Sequence, residues 1–318
     1  MERDILRGRK RCVNAIRSLY EQGIEDIVIL DTSALCFGEL KGFYNFNNLD
    51  KVIPDDSLDG LMRFIEILEK INNKGNLLVT HKIRKEFREN IDYFSKYLNL
   101  LETNFSKCKN SNSNSYQNNK LKLGKMKDIF KKYSYLIDNS TYPFFDYEID
   151  NRYLNLYNFV CSVSDFASCK QDYSGKIINQ TSYPCTKGSV IKKISSSENF
   201  NYNDEEIIAS SLFLSIHESK SSKILTCDRD LSRILHACVL VMSHPEFPGS
   251  EYLSDHLIKN TSTIYFFNND IFSGPSSKRI LEPDYRIPIF IKEKISLSDL
   301  VTQTKNIFYR SSLSTNKR

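Results

Sequence analysis

The stretch Ile27-Val28-Ile29-Leu30-Asp31-Thr32-Ser33 decides how the rest of the chain is read. Four successive apolar residues make a short buried strand, and the carboxylate of Asp31 closes it where the turn begins. Two later segments repeat that arrangement. Lys223-Ile224-Leu225-Thr226-Cys227-Asp228 ends a second apolar run on an acid, and Asn76-Leu77-Leu78-Val79-Thr80 leads into a helix carrying Glu86. In an open parallel sheet the carboxyl ends of the strands are where ligands bind. Three acids delivered to one rim of one sheet therefore point to a site for a hard cation.

Working outward, residues 3–22 read as a helix stopped by Gly23, followed by a strand at 26–30 and a loop rich in Gly, Asn and Asp at 34–55. Leu58, Leu61, Ile65, Leu68 and Ile71 at helical spacing predict a helix over 57–72, ending at Asn73-Lys74-Gly75. A strand at 76–80 and a helix at 82–103 come next. Strand, helix and strand in succession imply parallel pairing through crossovers. Ser106 to Lys120, with Asn-Ser-Asn-Ser-Asn-Ser, reads as a mobile linker. Residues 121–200 combine a short lysine-rich helix, a tyrosine-rich stretch and the polar loop Ser195-Ser196-Ser197. Alternation resumes with a helix at 204–219, a strand at 223–227, a helix from about 230 and a strand at 263–267. A short helix near 297–307 sits in a tail with scattered Pro and Gly.

The predicted organisation is a basic N-terminal helix (1–25), a discontinuous α/β domain (26–104 and 201–270), a partly disordered insertion (105–200) and a C-terminal extension (271–318). No stretch of the 318 residues approaches the roughly 18 apolar residues of a membrane helix. No secretory apolar core follows Met1, so the cytoplasm is the expected location. The eight cysteines are scattered without a CxxC pair, which suits reduced thiols better than a disulfide framework. The spacings of Cys161, Cys169 and Cys185 are wrong for a zinc ribbon. With 11 glycines and no phosphate-cradling glycine motif, a nucleotide-binding fold of that kind is not expected.

Net charge is +5, and its distribution is uneven. Arg3, Arg7, Arg9, Lys10, Arg11 and Arg17 crowd the first helix. Lys107, Lys109, Lys120, Lys122, Lys125, Lys127, Lys131 and Lys132 are set against Asp128 alone over residues 105–135. Attraction of phosphates is one reading and a solvated helix face is the other. The five histidines form no HxH or HxxxH pair and read as surface or capping residues.

Asp204 opens Asp-Glu-Glu-Ile-Ile-Ala at a helix entrance, with Ile207, Ile208 and Leu212 on the predicted buried face. Glu205 and Glu206 fall in the first turn, where the helix dipole favours acids, and are expected to face solvent. Asp230, two residues after Asp228, either reaches the same site or begins the next helix. Each acid also has a plain structural reading. Asp31, Asp204 and Asp228 suit turns or N-caps, and Glu86 suits a pair with Lys82 one helical turn away.

Taken together, Ile27 to Ser33, Val79-Thr80-His81-Lys82-Ile83-Arg84-Lys85-Glu86-Phe87, Asn203 to Ala209 and Ile224 to Leu231 resemble the four acidic motifs of PIN-domain nucleases. The resemblance covers the segments around 26–104 and 201–270 and leaves out the insertion and the tail. It implies a three-layer α/β/α sandwich with a central parallel sheet, and an acidic quartet that binds Mg²⁺ or Mn²⁺ to cut RNA. By position the quartet is Asp31, Glu86, Asp204 and Asp228, with Asp230 as an accessory ligand. Thr32, Ser33 and Thr226 take the small hydroxyl positions beside it. Candidate RNA contacts are these three with Arg9, Lys10, Arg11, Lys82 and Arg84.

The chemistry of such a quartet is consistent with the resemblance. Two carboxylates ~4 Å apart repel by about 4 kcal/mol at an effective dielectric near 20, so four at one rim collect divalent cations. Oxygen-only ligands suit Mg²⁺ or Mn²⁺ rather than zinc. The expected partner is single-stranded or structured RNA, with no membrane, and self-association is left open. The competing expectation is a PIN-like module without catalysis that binds RNA or a protein. A third, an aspartyl phosphatase, is weakened because Ser33 stands where a second Asp belongs.

Overall fold

The computed structural model describes residues 26–32, 55–107, 114–142, 150–167, 170–171, 177–178, 203–226, 229–253, 257, 261–265 and 297–309. The chain divides into two compact units, Met1–Pro143 with Tyr265–Pro275, and Phe144–Ile264 with Ser276–Arg318.

In the first unit, β1 (Ile27–Leu30) is followed by α1 (Asp55–Asn73), β2 (Leu77–Leu78), α2 (His81–Ser106) and α3 (Asn114–Asp138). β1 and β2 run parallel, with Val28 level with Leu77 and Ile29 with Leu78. All four residues of β1 are buried, as a strand covered on both faces must be. The apolar spacing of α1 turns Ile65, Leu68 and Ile71 inward, and that of α2 does the same for Ile83, Phe87 and Leu98. Both helices pack on α3, whose Tyr133 meets the Phe87 ring edge-on at 6.4 Å.

The joint between α1 and β2 explains why the strand starts where it does. Gly75 takes a positive φ of 77°, and its N–H returns to the Asn72 carbonyl at 2.8 Å, closing the helix. The Asn72 side chain then donates to the Asn139 carbonyl at 3.1 Å and accepts from the Thr141 N–H at 2.7 Å. The end of α1 is thereby tied to the chain leaving α3.

The second unit contains α4 (Asn151–Ala167), β3 (Lys170–Gln171), β4 (Ile177–Ile178), α5 (Asn203–Glu218), β5 (Ser222–Thr226), α6 (Arg229–Met242), β6 (Thr261–Tyr265) and α7 (Leu297–Tyr309). β3 and β4 form a small antiparallel pair, and β5 and β6 are hydrogen-bonded neighbours. α4 packs on α5, α6 and α7. α5 is enclosed on every side, buried from Glu205 through Ser215. Its small residues permit that closeness, and the Ser211 and Ser222 hydroxyls share a 2.7 Å hydrogen bond between α5 and β5.

Helices interleaved with short strands, with β1 and β2 parallel, agree with the α/β reading. One expectation is corrected. Residues 114–120, read as part of a mobile linker, form the first two turns of the 25-residue α3, with Tyr116 and Asn119 buried. Among the described residues no helix is long and apolar enough to cross a membrane. The predicted helix at 3–22, most of the loop at 34–55 and the polar loop at 195–197 lie outside the described residues.

Candidate functional site

Asp31 sits just past the carboxyl end of β1 and is only 4% exposed, beside the equally buried Thr32. The Thr32 hydroxyl lies 3.5 Å from Asp31 Oδ1, at the long limit for a hydrogen bond. β2 runs in the same direction, and its own carboxyl end leads through Val79 and Thr80 into α2. Asp31 and Thr80 each stand two residues beyond the paired Ile29 and Leu78. Thr80 is fully buried, and its Oγ1 has no hydrogen-bond partner. Glu86, half-buried, lies in the second turn of α2. Both first-unit acids of the predicted quartet therefore belong to elements leaving the same end of the parallel pair.

The helix start is held by Arg84. Its guanidinium donates from Nε to the Val79 carbonyl at 3.2 Å, from Nη1 to the Asp138 carbonyl at 3.2 Å, and from Nη2 to the Ser140 hydroxyl. Partial burial lowers the guanidinium pKa, against the opposing pull of Asp138. A predicted RNA contact thus serves to join α2 to the end of α3. Lys82 is half-buried on the first turn of α2.

In the second unit, Asp204 is the second residue of α5 and is half-buried. Glu205 and Glu206, expected to face solvent, are instead 1% and 7% exposed. The reason is that α5 is a central helix with no solvent face from Glu205 to Ser215. The Ser164 hydroxyl of α4 donates to Glu205 Oε1 at 2.5 Å, while Oε2 is buried without a hydrogen bond. Tyr157, Cys161 and Cys238 complete this polar interior: burial raises the Tyr157 phenol and Cys238 thiol pKa values, with smaller contributions from Cys161 and Glu205. Thr226 is buried at the end of β5. Asp230 lies in the first turn of α6, though its side chain is outside the described residues, as are Asp228, Ser33, Arg9, Lys10 and Arg11.

A basic surface lies on the first unit. Lys120, Lys125, Lys131 and Lys132 are exposed on α3. Lys127 bridges to Glu102 of α2 at 2.5 Å. Between these helices runs a groove of about 340 Å³ lined by Ile91, Ser95, Leu98 and Asn99 from α2 and by Lys127, Phe130, Lys131 and Ser134 from α3. Apolar and polar side chains line it together.

Among the described residues no three of His, Cys, Asp and Glu gather closely enough to hold a metal ion. The donors present are nonetheless of the right kind: Asp31 and the orphaned Thr80 hydroxyl offer hard oxygen atoms past the carboxyl ends of β1 and β2. Sequence reasoning missed Thr80, Ser164 and the burial of Glu205. Thr80 carried a usable signal, because it stands after its apolar run as Asp31 does after its own.

No family model matches this chain significantly, and neither does any curated protein or solved structure.

Proposed function

We propose that this protein is a metal-dependent ribonuclease of PIN type, a three-layer α/β/α sandwich around a central parallel sheet. In this reading Asp31, Glu86, Asp204 and Asp228 are the oxygen ligands of Mg²⁺ or Mn²⁺, and Asp230 assists. The cation supplies an activated water and neutralises charge on the phosphodiester. The protein's own share is to hold the carboxylates in place, to keep Asp31 away from bulk water and to draw the RNA backbone onto the lysines of α3. Hydrolysis would leave a 5′-phosphate and a 3′-hydroxyl, with no Ser or Cys nucleophile required.

One observation carries the reading: Asp31 is buried at the carboxyl end of β1, parallel to β2, whose own end opens the helix bearing Glu86. The test is incubation of the purified protein with labelled single-stranded RNA and Mn²⁺. Cleavage by the wild type, lost in Asp31→Asn and Asp204→Asn while RNA binding persists, supports the proposal. Equal cleavage by both variants refutes it.

A second reading, a binding module without catalysis, is favoured by the lack of a three-ligand group among the described residues. It predicts RNA bound without turnover at any Mn²⁺ concentration.

A further inference from the structure

Thr80 is 0% exposed, and its hydroxyl makes no hydrogen bond. A hydroxyl carries one donor and two acceptor sites, and proteins seldom bury one unsatisfied without a reason. The residue precedes α2, so its Oγ1 could have capped the first N–H groups of that helix, as threonine commonly does. It does not. The Thr80 carbonyl is used instead, accepting from the Arg84 N–H at 3.0 Å. The preceding carbonyl, that of Val79, is taken by the Arg84 side chain. Both of these carbonyls are therefore bonded, whereas the side-chain oxygen is not.

Its location gives that oxygen a use. β1 and β2 run parallel, and Asp31 and Thr80, both buried, each stand two residues beyond the paired Ile29 and Leu78, at the carboxyl ends of the two strands. We infer that Thr80 is a positioning residue of a divalent-cation site at Asp31, its hydroxyl holding a water of the cation's shell. The inference rests on the metal-dependent reading above. A hard cation at a carboxylate keeps several of its waters, and each bound water needs an acceptor. Polar groups in that outer shell commonly change metal affinity 10- to 100-fold when removed. Valine is the informative replacement, because it keeps the shape of threonine and puts a methyl group where the hydroxyl stood.

The experiment measures Mn²⁺ alone, with the full chain, by calorimetric titration and by the shift in thermal unfolding midpoint. Thr80→Val is expected to unfold like the wild type without metal, to bind Mn²⁺ at least about tenfold more weakly, and to be rescued by Thr80→Ser. Asp31→Asn is expected to abolish Mn²⁺ binding. If Asp31→Asn abolishes binding and Thr80→Val leaves it unchanged, the role of Thr80 is refuted while the cation site stands. If the wild type does not bind Mn²⁺, both the site and this inference fall. A marked loss of metal-free stability in Thr80→Val also overturns it, since the hydroxyl would then be serving the fold.

Discussion

The hydroxyl of Ser164 on α4 donates to the carboxylate of Glu205 on α5 at 2.5 Å, and both side chains are sealed from solvent. This bond lies one residue from Asp204, so the helix start that presents a predicted ligand is anchored from within. A charged side chain inside a helix bundle costs free energy unless it is well bonded, and such bonds fix one packing arrangement over others.

Ser164→Ala is therefore expected to destabilise the protein by about 1–3 kcal/mol, because it strips a donor from a buried carboxylate. Combining it with Glu205→Leu should recover much of the loss, since both partners then become apolar. Urea unfolding of the two single variants and the double variant measures the coupling. Strict additivity of the two effects would show that the bond contributes nothing of its own.

Two neighbouring arginines should behave differently. Arg84 reaches Val79, Asp138 and Ser140 from a half-buried position, whereas Arg88 pairs with Asp138 at 2.8 Å in the open. Arg84→Ala is predicted to cost roughly 1.5–3 kcal/mol, the range for hydrogen bonds to a charged group. Arg88→Ala is predicted to cost under about 1 kcal/mol, as exposed pairs do. Arg84→Lys should rescue little, because one ammonium cannot reproduce the planar fork. Equal losses for the two alanine variants in chemical denaturation would contradict the assigned roles.

Much of this architecture is legible in the sequence where one face of an element is buried. Ile65, Leu68 and Ile71 in α1 and Ile83 and Phe87 in α2 fall where helical spacing put them. The pattern misleads where burial is not one-sided. α5 has small or apolar residues all round, so no solvent face exists for Glu205 or Glu206, and position in the first turn says nothing about exposure. The start of α3 was concealed differently. Tyr116, Asn119 and Leu123 point inward, but asparagines and serines dilute them, and Lys122 buries its stem like an apolar residue. Of the acidic quartet, the strand-end position of Asp31 and the helical position of Glu86 were readable from local pattern. Spatial convergence of four acids is a long-range property that local pattern does not encode.

His217 gives a pH dependence whose sign can be worked out. Its ring lies 5.0 Å from that of Phe213, which also receives the Arg152 guanidinium at 5.6 Å. Burial and then Arg152 lower the imidazole pKa, outweighing Asp150 and Glu218. Asp150 is itself held low by its hydrogen bond from Arg152, which keeps it charged. The folded protein thus binds fewer protons at His217 than the unfolded chain does. Stability from this group is full above its ordinary value of about 6.5 and falls as pH drops below it. Proton NMR titration should place the His217 midpoint below 6.5, and Arg152→Gln should raise it. A midpoint at or above the ordinary value would refute the assignment.

If the proposed function holds, the lysine face of α3 should set how RNA binding responds to salt. Lys120, Lys125, Lys131 and Lys132 are exposed and, among the described residues, enter no ion pair, so their charge is available to phosphates. Each phosphate neutralised on a single strand contributes about 0.7 to the slope of log affinity against log salt. Replacing all four lysines with glutamine should therefore lower the magnitude of that slope by up to about 3 and weaken binding most at low salt. The acids are untouched in this variant, so cleavage at saturating RNA should persist if chemistry rather than release limits turnover. Fluorescence anisotropy with a labelled homopolymer across a salt series gives both quantities. An unchanged slope would move the RNA path elsewhere on the molecule, and binding of an acidic peptide with equal affinity would recast the face as a protein-docking surface.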